Sequence, residues 1–252
     1  MSWEKDRGLL LGDGLFETIR VESGAPLLLD RHMARLARSA ERLAMPLDIG
    51  VVADRLRAEA QDVSEVSSMR VTVTRGPGPR GLMPPSDAKL RVVVSTAKVG
   101  PRSAGPISIA VSSVRRNAGS PTASMKTVGY LDNVLARMEV EGLADDALMM
   151  NTDDHPVCTT IGNLLVLKPG GWTTPLASLG GLLPGIVREV LLEENAIAEG
   201  EVSLEDCRRY PLARSNSLVG VQALSIDGGV SPDTRAAEEL TRVLAAAERR
   251  EQ

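Results

Sequence analysis

Four stretches of this sequence bring together side chains or backbone groups able to do chemistry. In Ser124-Met125-Lys126-Thr127 a lysine lies between a predicted strand and a predicted helix, beside Met125 and Val128. An amine partly desolvated by such neighbours loses basicity and condenses more readily with an aldehyde. Leu183-Pro184-Gly185-Ile186-Val187-Arg188 enters another predicted helix, whose first unpaired N–H groups and positive dipole end suit an anion whatever the side chains are. Arg75-Gly76-Pro77-Gly78-Pro79-Arg80-Gly81 is a glycine- and proline-rich loop that can pass close to a ligand. Asn216-Ser217-Leu218-Val219-Gly220 offers a hydroxyl donor, although an Asn-Ser pair is equally ordinary turn material.

The elements that must position these groups follow from periodicity. Residues 15–21 read as a strand ending at the turn Glu22-Ser23-Gly24-Ala25, with 26–29 pairing back as a short second strand. Asp30 then serves as the N-cap of a helix that buries Met33, Leu36, Ala37, Ala40 and Leu43, leaving Arg35 off the stripe and free to reach something else. A second helix over 51–62 and strands over 70–74 and 90–96 complete an N-terminal α/β domain, residues 1–99. Residues 100–106, with Gly100-Pro101 and Gly105-Pro106, form a linker. A larger strand-rich C-terminal domain, 107–252, follows: a strand over 107–114, a helix over 130–143 with Leu131, Val134, Leu135 and Met138 turned inward, strands over 147–150, 164–167 and 219–226, and helices over 185–194 and 234–249.

Composition narrows the function classes. The 252 residues carry a net charge of −4, and only 2% are aromatic, so neither a basic field for a phosphate backbone nor base-stacking platforms are available, and no nucleic acid partner is expected. Cys158 and Cys207 are too few for a disulfide framework or a zinc site, and no metal is expected. No stretch approaches the length that spans a bilayer, and the N-terminus has no basic flank before an apolar core; the expectation is a cytoplasmic protein with no membrane partner.

Four segments in register resemble the class IV pyridoxal-phosphate enzymes, the family of D-amino-acid and branched-chain aminotransferases and aminodeoxychorismate lyase. They are Asp6-Arg7-Gly8 with Gly12-Asp13-Gly14-Leu15-Phe16-Glu17-Thr18; His32-Met33-Ala34-Arg35-Leu36; Lys126 through Leu131-Asp132-Asn133-Val134-Leu135-Ala136; and Asn163-Leu164-Leu165 leading to the Gly185 turn. The resemblance implies the two-lobed α/β (α+β) fold of that family, with pyridoxal 5′-phosphate between the lobes. It makes Lys126 the residue that forms an imine with the cofactor and later moves a proton as general base. Arg35 becomes a phosphate ligand through its guanidinium fork, and Gly185, Ile186 and Val187 give the phosphate turn. Ser217 aligns with another phosphate-contacting position. Phe16 and Arg80 fall on the substrate side, Arg80 binding a carboxylate, and Tyr130 either hydrogen-bonds the cofactor's phenolate oxygen or caps the core. A small-molecule amino substrate and a homodimer are implied in the same way.

The sequence also departs from the family. D-amino-acid aminotransferases carry a histidine two residues beyond the arginine matching Arg80; here the position is Leu82, and the Arg-Gly-x-Gly-x-Arg-Gly and Asn-Ser-Leu-x-Gly spellings look more like aminodeoxychorismate lyases. Five residues before Asn163, where the family has an acid facing the pyridine nitrogen, stands Cys158. Either Cys158 ionises beside a pyridinium, or the nitrogen is unprotonated, or Asp153 or Asp154 reaches the site. A weaker electron sink hurts transamination more than an elimination with a ready leaving group. The reading is therefore an aminodeoxychorismate lyase, with a branched-chain or D-amino-acid transaminase, and a catalytically impaired cofactor-binding homologue, as alternatives. Only five residues precede Asp6, where the family usually has an extra strand pair, so a shortened first-lobe edge or a late start is expected.

Overall fold

The computed structural model describes residues 3–102 and 105–252, so Ser103 and Ala104 of the expected linker lie outside the described residues. The chain divides into two compact units, Met1–Gly100 with Met125–Tyr130 and Glu251–Gln252, and Pro101–Ser124 with Leu131–Arg250.

The first unit begins with the short helix α1 (Arg7–Leu11), capped by the Asp6 carboxylate on the Gly8 amide. Strands β1 (Gly14–Glu22) and β2 (Ala25–Pro26) form a hairpin, followed by helices α2 (Leu29–Arg42) and α3 (Ile49–Gln61) and strands β3 (Ser67–Thr74) and β4 (Arg91–Lys98). The sheet order is β2-β1-β3-β4, all antiparallel. Alternation along β1 and β3 sends Leu15, Ile19, Val21, Met69, Val71 and Val73 into one core with Met33, Leu36, Ala40, Val52 and Leu56 of the two helices. Phe16 and Thr18 are left on the opposite face, registered against Thr72 and Arg70. The expected second strand is shorter than read and Asp30 is not a cap: Leu28, in a left-handed conformation, starts α2, and Asp30 lies in its first turn, paired with Arg57 at 2.8 Å.

Lys126 was expected in the C-terminal domain, yet Met125–Tyr130 belongs to the first unit. The cause is backbone pairing onto β1: the Phe16 amide donates to the Lys126 carbonyl at 2.9 Å, the Val128 amide to the Gly14 carbonyl at 3.0 Å, and Leu15 bridges Thr127.

The second unit holds β5 (Ile107–Arg116), α4 (Leu131–Glu139), β6 (Asp146–Asn151), β7 (Pro156–Thr159), β8 (Asn163–Lys168), β9 (Gly171–Pro175), α5 (Ile186–Glu193), β10 (Ile197–Gly200), α6 (Leu204–Arg209), β11 (Leu212–Asn216), β12 (Gly220–Ile226) and α7 (Thr234–Arg250). Its sheet runs β10-β9-β8-β11-β12-β5-β6-β7, and a further pairing of β7 with β8, at Cys158 opposite Asn163, closes β8-β11-β12-β5-β6-β7 into a ring. Closure removes the strand edges and buries β6 and β7 at every position.

Helix α4 reverses the reading of its apolar stripe. Ala136 is buried, as is Val140 just beyond the helix, whereas Leu131, Val134, Leu135 and Met138 are 73%, 48%, 53% and 61% exposed. The small face of the helix packs on β5 and β6 and the large apolar face is left outside. Among the described residues no helix is long and apolar enough to cross a membrane, and no cluster of metal-ligating side chains occurs.

Candidate active site

In the first unit, the segment paired onto β1 sets the Lys126 amine 4.3 Å from the Phe16 ring centre and 3.4 Å from the Tyr130 hydroxyl, to which it donates. Tyr130 meets Phe16 edge to face, at 5.1 Å between centroids. Burial pushes the Lys126 amine down to about 8, with the positive charges of Arg35 and Arg70 adding to the effect and Glu17 opposing it. A substantial fraction of this amine is therefore neutral near pH 8, the form that attacks a carbonyl or accepts a proton.

Arg70 was not among the residues singled out from the sequence. Its guanidinium carbon lies 3.5 Å over the Phe16 ring and its Nε donates to the Thr72 hydroxyl at 3.1 Å. No carboxylate pairs with it among the described residues, and burial lowers its basicity. The alternation of Met69, Val71 and Val73 marks Arg70 as facing away from the core, but only the register of β3 against β1 puts it over Phe16.

Behind this pair lies a buried charged cluster. Arg35 was read as lying off the helical stripe and free; it is instead buried and grips Glu17 with both arms of its fork, Nε to Oε1 at 2.7 Å and Nη2 to Oε2 at 2.6 Å. His32 Nδ1 is 2.7 Å from Glu17 Oε2. Burial would raise the Glu17 carboxyl, but the Arg35 charge and the His32 hydrogen bond outweigh it and hold the group at about 2. Burial pushes His32 below its ordinary value.

In the second unit, Gly185 is the N-cap of α5 and offers no side chain to it. The amides of Ile186 and Val187 point out of the helix start with no partner among the described residues. Asn163 braces the turn, its Nδ2 donating to the Leu183 carbonyl at 2.8 Å, and a Cβ on Gly185 would fall 2.0 Å from Asn163 Oδ1. Glycine is thus required by close approach. Ser217 sits in a tight turn made by Asn216 Oδ1, which accepts from the Leu218 and Val219 amides, each at 2.9 Å. The Ser215 hydroxyl, on β11, is buried without a partner among the described residues.

Burial pushes the Cys158 thiol up to about 11, Asp146 adding to the rise and Arg116 opposing it. Burial thus disfavours ionisation of Cys158 at neutral pH. Asp153 and Asp154 do not substitute: both are exposed at the turn joining β6 to β7, where Asp154 pairs with Arg115 at 3.2 Å. The buried acid near Cys158, Asp146, is committed to Arg214 and Thr160. Arg116 holds the Gly181 carbonyl at 2.9 Å and Asn133 Oδ1 at 3.2 Å, while Asn133 donates to the Thr160 carbonyl at 2.6 Å. Neither Arg116 nor Asp146 carried a sequence signal.

Residues 14–225 match the family model for amino-transferase class IV. A protein of Methanocaldococcus jannaschii named for branched-chain-amino-acid aminotransferase activity is 30% identical over 196 residues, 75% of this chain and 67% of that protein. The aminodeoxychorismate lyase of Bacillus subtilis is 26% identical, again over 75% of this chain and 66% of its own length, so the chain spans about two thirds of these two relatives. The crystal structure of 4-amino-4-deoxychorismate lyase from Pseudomonas aeruginosa superposes with a TM-score of 0.84 at 31% identity, covering 99% of this chain and 94% of that one.

The chain belongs to the class IV aminotransferase family. It is accordingly a pyridoxal-phosphate-dependent enzyme with the two-domain α+β fold of that family. The residues present fit the cofactor. The turn at Gly185 leaves unpaired amides at a helix start, the chemistry a phosphate needs, and it is a cradle that a Cβ would fill. Lys126 supplies an amine of lowered basicity for the aldehyde. In this class IV chain Arg80 lies exposed in the β3–β4 loop, and Leu82 beside it is 83% exposed.

Proposed function

We propose that this protein is an aminodeoxychorismate lyase, converting 4-amino-4-deoxychorismate to 4-aminobenzoate and pyruvate. The observation that carries the reading is the neutral, buried Cys158 thiol at the position where the family has an acid. Without a carboxylate partner the pyridine nitrogen is left unprotonated, and a weaker electron sink suits an elimination with a ready leaving group better than complete transamination. The likeness to lyases of Bacillus subtilis and Pseudomonas aeruginosa supports the same choice.

When bound, pyridoxal phosphate supplies the aldehyde that captures the substrate amine and a conjugated ring that accepts electron density. The chain's own residues supply the rest. Lys126 is assigned the attachment point and the base: its Nζ takes the proton from the carbon bearing the substrate amine. Loss of that proton lets the enolpyruvyl C–O bond break. The leaving group departs as pyruvate once protonated, the six-membered ring becomes aromatic, and no water or second substrate is consumed. Tyr130 Oη holds the Lys126 amine by a hydrogen bond, and Phe16 forms an apolar wall that keeps that amine poorly solvated. The Ile186 and Val187 amides at Gly185 are assigned to the phosphate, and the Ser217 hydroxyl is assigned to it as a further donor. Arg35 acts on the site through the buried Glu17 pair and its positive field on Lys126. The substrate carboxylates are assigned to Arg70 and Arg80.

The exposed apolar face of α4 supports a homodimer, with a second copy covering Leu131, Val134, Leu135 and Met138. Two free buried cysteines support a reducing compartment, the cytoplasm.

The test is purified holoenzyme given 4-amino-4-deoxychorismate with no keto acid. Equal amounts of 4-aminobenzoate and pyruvate are expected. Turnover that appears only when an amino donor is supplied with 2-oxoglutarate or pyruvate would make the protein a transaminase and overturn the proposal.

A further inference from the structure

The Asp6-Arg7-Gly8 segment is unused by the chemistry above, yet Arg7 is 3% exposed and its guanidinium is surrounded by acceptors. Nε donates to Asp13 Oδ2 at 2.9 Å, Nη1 to the Gly81 carbonyl at 2.9 Å and the Met83 carbonyl at 3.4 Å, and Nη2 to the Leu82 carbonyl at 2.8 Å. Three successive carbonyls of the β3–β4 loop thus converge on one side chain 74 to 76 residues away in sequence. The side chains of that stretch face outward, Leu82 at 83% and Met83 at 81% exposure, so the loop gains no apolar anchor there.

The start of the loop is tied to the same place. Arg75 donates to the same Asp13 Oδ2 at 2.8 Å, the Arg7 amide to the Gly76 carbonyl at 2.9 Å, and the Gly78 amide to the Lys5 carbonyl at 3.1 Å. Gly78 packs against the Arg7 stem so closely that a Cβ would lie 2.8 Å from Arg7 Cδ. Arg80 sits between the two tethers, next in sequence to Gly81, whose carbonyl Arg7 holds.

We propose that Arg7 is a positioning residue for Arg80. Its planar fork fixes the backbone on the C-terminal side of Arg80, while Asp13 couples that fork to Arg75 on the other side, and Arg80 is presented to a substrate carboxylate from a stretch whose Leu82 and Met83 side chains face outward. The proposal rests on the assignment of Arg80 to the substrate. A lysine at position 7 keeps the charge toward Asp13 but cannot serve four acceptors from one plane.

The test compares Arg7→Lys, Arg7→Gln, Arg80→Gln and the Arg7→Gln/Arg80→Gln double variant as holoenzymes. Gly78→Ala is added because it displaces the Arg7 stem while leaving the residue in place. Arg7→Gln and Gly78→Ala should raise KM about tenfold with kcat and bound cofactor absorbance kept, and the double variant should be no worse than Arg80→Gln alone. In limited trypsin digestion without substrate, cleavage after Arg80 should accelerate about tenfold in Arg7→Gln and Gly78→Ala. Unchanged digestion in both, or a double variant whose KM effect is the product of the singles, overturns the clamp. A parent-like KM in Arg80→Gln overturns instead the substrate role of Arg80, a result the digestion distinguishes.

Discussion

The surroundings of Lys126 and of Cys158 solve opposite problems. The first unit crowds polar groups behind the amine: Glu17, His32 and Arg35 are all at most 5% exposed, and the Glu17 carboxylate is held near 2 by its partners. The second unit walls the thiol into a closed ring of strands where β6 and β7 are buried throughout, and the nearby acid Asp146 is already bound to Arg214. One region keeps charge by compensating it at close range; the other keeps a titratable group neutral by withholding a partner. Burial dominates both shifts, but the Lys126 amine also feels Arg35, Glu17 and Arg70 from three elements of its unit, whereas at Cys158 the nearby charges of Arg116 and Asp146 oppose each other.

The contrast can be broken from either side. Lys126→Ala should lower the turnover rate by at least about 10²–10⁴-fold and abolish the visible absorbance of bound cofactor, because no nearby lysine replaces it. Glu17→Gln leaves Arg35 buried without its carboxylate and should cost about 3–5 kcal/mol in denaturant unfolding, whereas Cys158→Ala, which removes no charge, should cost about 1 kcal/mol. Comparable losses would erase the distinction between the two regions.

The thiols give a sharper readout. With Cys158 raised to about 11 and Cys207 to about 12, alkylation of the folded protein by iodoacetamide should run at least a few hundred-fold slower than for a free thiol of pKa about 8.5, and become fast on unfolding. Lys126 should leave the opposite signature in the apo protein. Its folded value of about 8 lies below its unfolded value of 10.5, so between those pH values the unfolded state binds more protons and stability rises with pH. Removing the amine with Lys126→Met should flatten that rise and stabilise the apo protein at pH 7 by on the order of 2 kcal/mol, after allowance for partial exposure of the side chain. The smallest kinetic effect in this comparison is expected from Arg70→Gln: a KM increase of about tenfold with cofactor absorbance intact, the loss of one charge-assisted contact to substrate.

Much of this was legible in the sequence. Apolar and β-branched runs bounded by turn residues marked β1, β3, β5 and β12, and the Lys126 segment stood out because a lysine is expensive beside Met125 and Val128 unless it is used. The failures have physical causes. Periodicity found the stripe on α4 but not what covers it; Ala136 and Val140 face the sheet and the larger Leu131, Leu135 and Met138 do not. Arg35 looked free to reach a ligand because its partner Glu17 lies on a strand 18 residues earlier. The convergence of Gly81, Leu82 and Met83 carbonyls on Arg7 is backbone geometry, which side-chain identities do not encode. Cys158 was legible only through the family pattern, and its neutrality only from its burial.

Lys126 is assigned as the cofactor's attachment point, and reductive labelling tests that assignment most directly. The holoenzyme is treated with sodium borohydride, digested and mapped by mass spectrometry. The phosphopyridoxyl mass should appear on the peptide containing Lys126 and on none containing Lys5, Lys89, Lys98 or Lys168. Labelling at one of those four with Lys126 unmodified would contradict the account.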